Sequence, residues 1–129
     1  MLMDKAEIDA MSVLALAHMG DCVYELQVRR MLCCRGALRV DRLHKDTVAY
    51  VCAKAQALAA RKIMDSLTVE EMAVYKRGRN AHSHAAPKNT TEGEYHAATG
   101  LETLFGWLYL REEQSRIEEL FALAMKEEE

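Results

Sequence analysis

The sequence predicts an all-α fold, a compact multi-helix domain, on three observations. Ala, Leu, Met, Glu and Arg are abundant, whereas the 129 residues hold only 6 Gly and 1 Pro, a balance that favours helix over the turn-rich make-up of a small sandwich or barrel. Apolar residues recur at intervals of three and four, the period of one helix face. At three candidate helix starts Ser or Thr precedes Glu by three residues, the reciprocal N-terminal cap in which the hydroxyl accepts from the third helical N–H and the carboxylate reaches back. The length argues for one domain over residues 1–129, since a domain usually takes ~100 to 200 residues. With 50% hydrophobic residues, it can bury a core.

Taken in order, Ser12 to about Cys34 carries Val13, Leu16, Met19, Val23 and Leu26 on one face, with Gly36 as its end. Asp41 is placed to cap a second long helix from about Arg42 to Asp65, with Val48, Val51, Cys52, Ala55, Leu58, Ala59 and Ile63 in register. The pairs Thr68 with Glu71, Thr91 with Glu94 and Ser115 with Glu118 start three more helices, near 69–79, 92–111 and 116–127. Residues 80–90 are polar, lack apolar period and hold the only Pro, so they read as a loop. It is longer than the usual helix connection of ~2 to 8 residues, and loops of that kind often carry function.

The net charge of −3 conceals a segregation. Six basic residues (Arg29, Arg30, Arg35, Arg39, Arg42, Lys45) face only Asp41 between Arg29 and Lys45, and four (Lys76, Arg77, Arg79, Lys88) face no acid between Lys76 and Thr91. Glu112 to Glu129 is acidic. An acidic protein with concentrated basic segments has the charge plan of a polyanion binder. No apolar run approaches the ~18 residues of a membrane span, and the start lacks the pattern of an export signal, so a cytoplasmic protein without a membrane partner is expected. Cys22, Cys33, Cys34 and Cys52 form no CxxC pair and read as reduced, partly buried thiols, with zinc on Cys33, Cys34 and His44 as the lesser alternative.

Two carboxylates stand out. Glu102 projects from a small and apolar stripe of Ala98, Thr99, Phe105 and Gly106, where a buried unpaired carboxylate is costly unless a cation sits beside it. Asp21 follows Gly20 at the edge of the first helix's apolar face, and the period running through both positions excludes a capping role. Gly20, Gly100 and Gly106 lie in helical stretches where glycine costs ~1 kcal/mol against alanine and marks close backbone approach. His18, one turn before Asp21, reads either as a contact to substrate or metal or as a packed polar histidine.

These residues resemble a known family. Met19-Gly20-Asp21-Cys22-Val23-Tyr24-Glu25 resembles the signature stretch of ribonuclease III, and Thr99-Gly100-Leu101-Glu102-Thr103-Leu104-Phe105-Gly106 resembles its second carboxylate helix. The closer likeness is to the short branch called Mini-III ribonuclease. It is carried by residues 14–21, by Leu43-His44-Lys45, by Val51-Cys52-Ala53-Lys54-Ala55-Gln56-Ala57, by Lys76-Arg77-Gly78-Arg79-Asn80-Ala81 and by Pro87-Lys88-Asn89, in order along nearly the whole chain.

The resemblance implies a ribonuclease III-type endonuclease, a homodimer that cleaves double-stranded RNA with Mg2+, and maturation of a large-subunit (23S) ribosomal RNA precursor. It places Asp21 and Glu102 as catalytic carboxylates and Mg2+ ligands. Ala17 and Thr99 stand where the larger enzymes carry further acids, as in the short branch, and Asp41 or Asp46 is the candidate for a third. The 129 residues leave no room for the double-stranded-RNA-binding domain usual in the larger enzymes, so the catalytic domain itself is expected to hold the RNA. A-form RNA offers phosphates and 2'-hydroxyls across a wide minor groove, which suits Lys76, Arg77, Arg79, Asn80, Ser83, Lys88 and Asn89 on a surface and loop. The alternatives are a catalytically silent RNA-binding relative, or a helical adaptor docking through its acidic last helix.

Overall fold

The computed structural model describes residues 1–36, 39–81 and 85–127. Seven helices occur among them, with no strand: α1 Lys5–Asp9, α2 Val13–Cys34, α3 Val40–Val51, α4 Ala53–Ile63, α5 Val69–Arg79, α6 Glu92–Leu110 and α7 Gln114–Ala124, with a single 3-10 turn at Met64–Ser66.

The axis of the fold is α6. Every residue from Thr103 to Leu108 is buried, because α1, α2, α4, α5 and α7 all pack around this helix. Leu101, Leu104, Phe105, Trp107 and Leu108 form the centre of a core that Tyr24, Val28, Ile63, Ile117 and Leu120 complete. Tyr24 meets Phe105 and Phe121 edge-on, at centroid distances of 5.2 and 5.5 Å. Trp107 donates its Nε1–H to Asp9 at 3.0 Å, which ties the short first helix to the axis.

The caps at Thr68 and Thr91 form as the sequence predicts, with each hydroxyl accepting from the N–H three residues on, and Ser12 caps α2 in the same way. A further cap, Asp4 with Glu7, starts α1, an element the apolar pattern does not reveal because it buries only Ile8. The expected box at Ser115 does not form. Instead α7 starts at Gln114 after Glu113, without a side-chain cap, so Ser115 lies inside the first turn and Glu118 accepts from the Gln114 amide at 3.1 Å.

The single long helix expected from Arg42 to Asp65 is two helices. Cys52 adopts extended backbone at φ −65, ψ 156 and separates α3 from α4, so the apolar register does not run through it. Val48 and Leu58 consequently end up exposed. Asp41 lies in the first turn of α3 rather than capping it, and Arg39 occupies the cap.

The four cysteines are all exposed rather than partly buried. Cys33 lines a groove with His44, whereas Cys34 lines a different one with Phe121 and Met125. Successive residues on a helix diverge, so the three groups named for zinc do not converge. No cluster of three or more His, Cys, Asp or Glu side chains suited to a metal occurs among the described residues. No helix among them is long and apolar enough to cross a membrane.

Candidate active site

Asp21 on α2 and Glu102 on α6 meet because their helices cross with almost no side chain between them. A Cβ on Gly20 would overlap the carbonyl oxygen of Glu102, and one on Gly106 would overlap that of Leu16. The two glycines thus let the backbones touch, and the carboxylate next to each contact is carried to the other helix. Asp21 is exposed and Glu102 half-buried, so the pair forms an opening to solvent backed by the core.

The carboxyl of Glu102 is pushed from 4.5 up to about 8, first by burial, then by the negative charge of Asp21 and a hydrogen bond shared with it. Like charges in close contact disfavour ionisation, and the effect falls on Glu102, the more buried of the two.

A third side chain reaches the pair from α4. Gln56 is 2% exposed and its amide partly offsets the rise at Glu102 by acting as a donor. The contact falls short of an aligned hydrogen bond, and Nε2 finds no other partner among the described residues. Gln56 was not among the residues that the sequence singled out for chemistry. The available signal was its register, since positions 56, 59, 60 and 63 form the buried stripe of α4 and a glutamine in such a stripe calls for a partner. Asp41 and Asp46 do not join the pair. Asp41 faces Arg39 at 3.3 Å, and neither belongs to a three-acid cluster. His18 is exposed and not packed.

The basic end of α5 sits at the same level of α6. Gly78 lies against Gly100 and Thr103, and Tyr75 against Gly100, so the last turn of α5 is pressed onto the stretch of α6 that includes Glu102. Lys76, Arg77 and Asn80 are exposed there. Arg79 is half-buried, its guanidinium 6.0 Å from the centre of the Tyr75 ring and its Nε donating to Asn80 Oδ1 at 3.2 Å. Lys88 and Asn89 are exposed in the turn closed by Thr90 N–H to the Pro87 carbonyl, with Asn89 in the left-handed region at φ 66 that Asn tolerates. Ser83 lies outside the described residues. Arg29, in the other basic segment, is exposed and held by Glu25 on its own helix.

Residues 14–113 match the Ribonuclease III domain family. The chain is 45% identical to Mini-ribonuclease 3 of Symbiobacterium thermophilum over 86% of its length and 85% of that protein's. With Mini-ribonuclease 3 of Clostridium tetani it shares 40% over 94% and 81%, and with that of Enterococcus faecalis 43% over 88% and 87%. A crystal structure of a protein from Fusobacterium nucleatum superposes with a TM-score of 0.81 at 32% identity, covering 90% of this chain and 94% of that one. Helices, family model and relatives agree over nearly the same residues, and the chain belongs to the ribonuclease III family as a Mini-ribonuclease 3-type endoribonuclease.

Proposed function

We propose that Asp21 and Glu102 are the catalytic carboxylates and hold Mg2+ for hydrolysis of double-stranded RNA. The supporting observation is the pair itself: two acids from different helices face each other, and burial and the neighbouring charge push the Glu102 carboxyl up to about 8. The donor set suits Mg2+, which keeps several waters and is commonly bound by one or two carboxylates together with substrate phosphates. When bound, the cation supplies acidification of water and neutralisation of the charge that develops on the phosphorus oxygens. The chain's own work is to place two hard oxygen donors side by side, keep the floor of the site dry with Phe105 and Leu101, and admit the backbone from the exposed Asp21 side.

The basic turn beside the site supplies the RNA contacts in this reading. Lys76, Arg77, Arg79 and Lys88 pair with phosphates, while Asn80, Ser83 and Asn89 take 2'-hydroxyls and base edges. Two protomers act together, each cutting one strand, because one carboxylate pair reaches one backbone. The exposed apolar side chains Leu26, Val40, Val48 and Leu58 are available to a second copy. The expected setting is the cytoplasm and the expected substrate a large-subunit (23S) ribosomal RNA precursor, as the Mini-III resemblance implies.

The test is purified protein incubated with a duplex RNA, with and without Mg2+. Metal-dependent staggered cleavage is expected. Cleavage that persists in excess chelator, or single-strand products alone, would overturn the reading.

A further inference from the structure

The amide of Gln56 occupies a position where an apolar residue would pack without difficulty. It stands in the buried stripe of α4 with Ala59, Ala60 and Ile63, and its Nε2 is buried without a completed hydrogen bond. Buried polar groups are as a rule paired, and one that is not calls for an explanation. The group it faces is the carboxylate of Glu102, across the packing of α4 on α6.

We infer that Gln56 is a positioning residue, whose Nε2 donor holds the Glu102 carboxylate turned towards Asp21 so that both acids present oxygens to one cation. Two facing carboxylates repel, and Glu102 has three side-chain torsions through which it can turn away. A donor fixed in the wall of the core opposes that rotation, and outer partners of this kind orient metal ligands and set their affinity. The inference rests on the reading of Asp21 and Glu102 as cation ligands.

The test compares wild-type protein with Gln56→Met and Gln56→Leu, which keep bulk and lose the donor. Mn2+ binding to the RNA-free protein is followed by electron paramagnetic resonance, alongside thermal unfolding and cleavage kinetics on duplex RNA. At least one folded variant is expected to unfold at or above the wild-type temperature, since an incompletely paired buried amide has been replaced by an apolar group. It should bind Mn2+ about tenfold more weakly and lose kcat about 10- to 100-fold, with KM for the duplex unchanged. Wild-type Mn2+ affinity in a folded variant would overturn the inference, as would loss of folding in both, which would make Gln56 a structural residue. Wild-type protein that binds Mn2+ but leaves duplex RNA intact would overturn the proposed activity while leaving the Mn2+ comparison valid. Wild-type protein that does not bind Mn2+ would overturn both.

Discussion

Gly20 lies so close to Glu102 that the α2 backbone rests on the Glu102 carbonyl, with no room for a Cβ between them. This contact sets the separation of Asp21, the next residue, from the Glu102 side chain. The expected effect of Gly20→Ala follows from two opposed terms. Alanine gains ~1 kcal/mol of helix propensity, but the overlap is with backbone, which cannot swing aside, and overpacking costs about 1 to 3 kcal/mol or more. The variant should unfold at lower temperature and lose cleavage out of proportion to that loss. Wild-type activity in Gly20→Ala would show that the helix contact does not set the site.

Asp21→Asn and Glu102→Gln each remove a ligand charge and keep the shape. Cleavage by either should fall by at least about a hundredfold, with helicity by circular dichroism unchanged. Near-normal cleavage by either variant would contradict the assignment.

The raised Glu102 carboxyl gives a stability signature in metal-free protein. Its pKa is higher folded than unfolded, about 8 against 4.5, so between those values the folded state binds the extra proton and stability falls as pH rises. The loss begins near pH 4.5 and is complete above about 8. The melting temperature should therefore drop across that window, by about 3 to 6 °C for each kcal/mol lost. Glu102→Gln should flatten the profile and Mg2+ should restore stability at the alkaline end. A profile unchanged by Glu102→Gln would contradict this account.

The basic end of α5 and its following turn predict a salt effect. Neutralising Lys76, Arg77, Arg79 or Lys88 singly should weaken binding to unrelated duplexes alike and flatten the log-log salt dependence by nearly one unit. Alanine at Asn80, Ser83 or Asn89 should leave the slope alone and alter which duplexes are preferred. Affinities at several salt concentrations on two duplexes distinguish these. An unchanged slope in the quadruple alanine variant would move the binding face to the Arg29–Lys45 segment.

A structural ion pair behaves differently. Burial alone would raise the Glu71 carboxyl, but the Arg116 guanidinium, 2.8 Å away, and the Thr68 N–H hold it below the usual range. Its folded pKa is lower than its unfolded one, so its contribution is present above the unfolded value and is lost as pH falls. Arg116→Ala leaves a buried carboxylate unpaired and should cost about 2 to 3 kcal/mol, read by urea unfolding, with cleavage per folded molecule unchanged. A specific-activity loss would tie α7 to the site.

The starts of α2, α5 and α6 were legible in the chain because their cause is local. At Ser12, Thr68 and Thr91 a hydroxyl and an N–H three residues apart satisfy each other wherever the helix sits. Asp21 and Glu102 stood out singly, as acids in or at the edge of an apolar helical face close to a glycine, whereas their meeting was implied by the family resemblance and depends on how α2 and α6 cross. The break at Cys52 was not legible, since the same apolar period fits one helix or two, and only packing of α3 on α2 and α4 on α6 sets the direction of each half. The cap at Ser115 fails because α7 starts earlier, at Gln114, and Glu118 accepts from the Gln114 amide instead. Gln56 shows the limit most plainly. The apolar period put Ala55, Leu58, Ala59 and Ile63 on one face and passed over Gln56, whose burial beside Ala59, Ala60 and Ile63 and whose neighbour Glu102 on another helix follow only from packing. Local chemistry fixes where helices begin and which face is apolar, whereas the partner of a buried polar group is a long-range contact, and that is decided only when the helices pack.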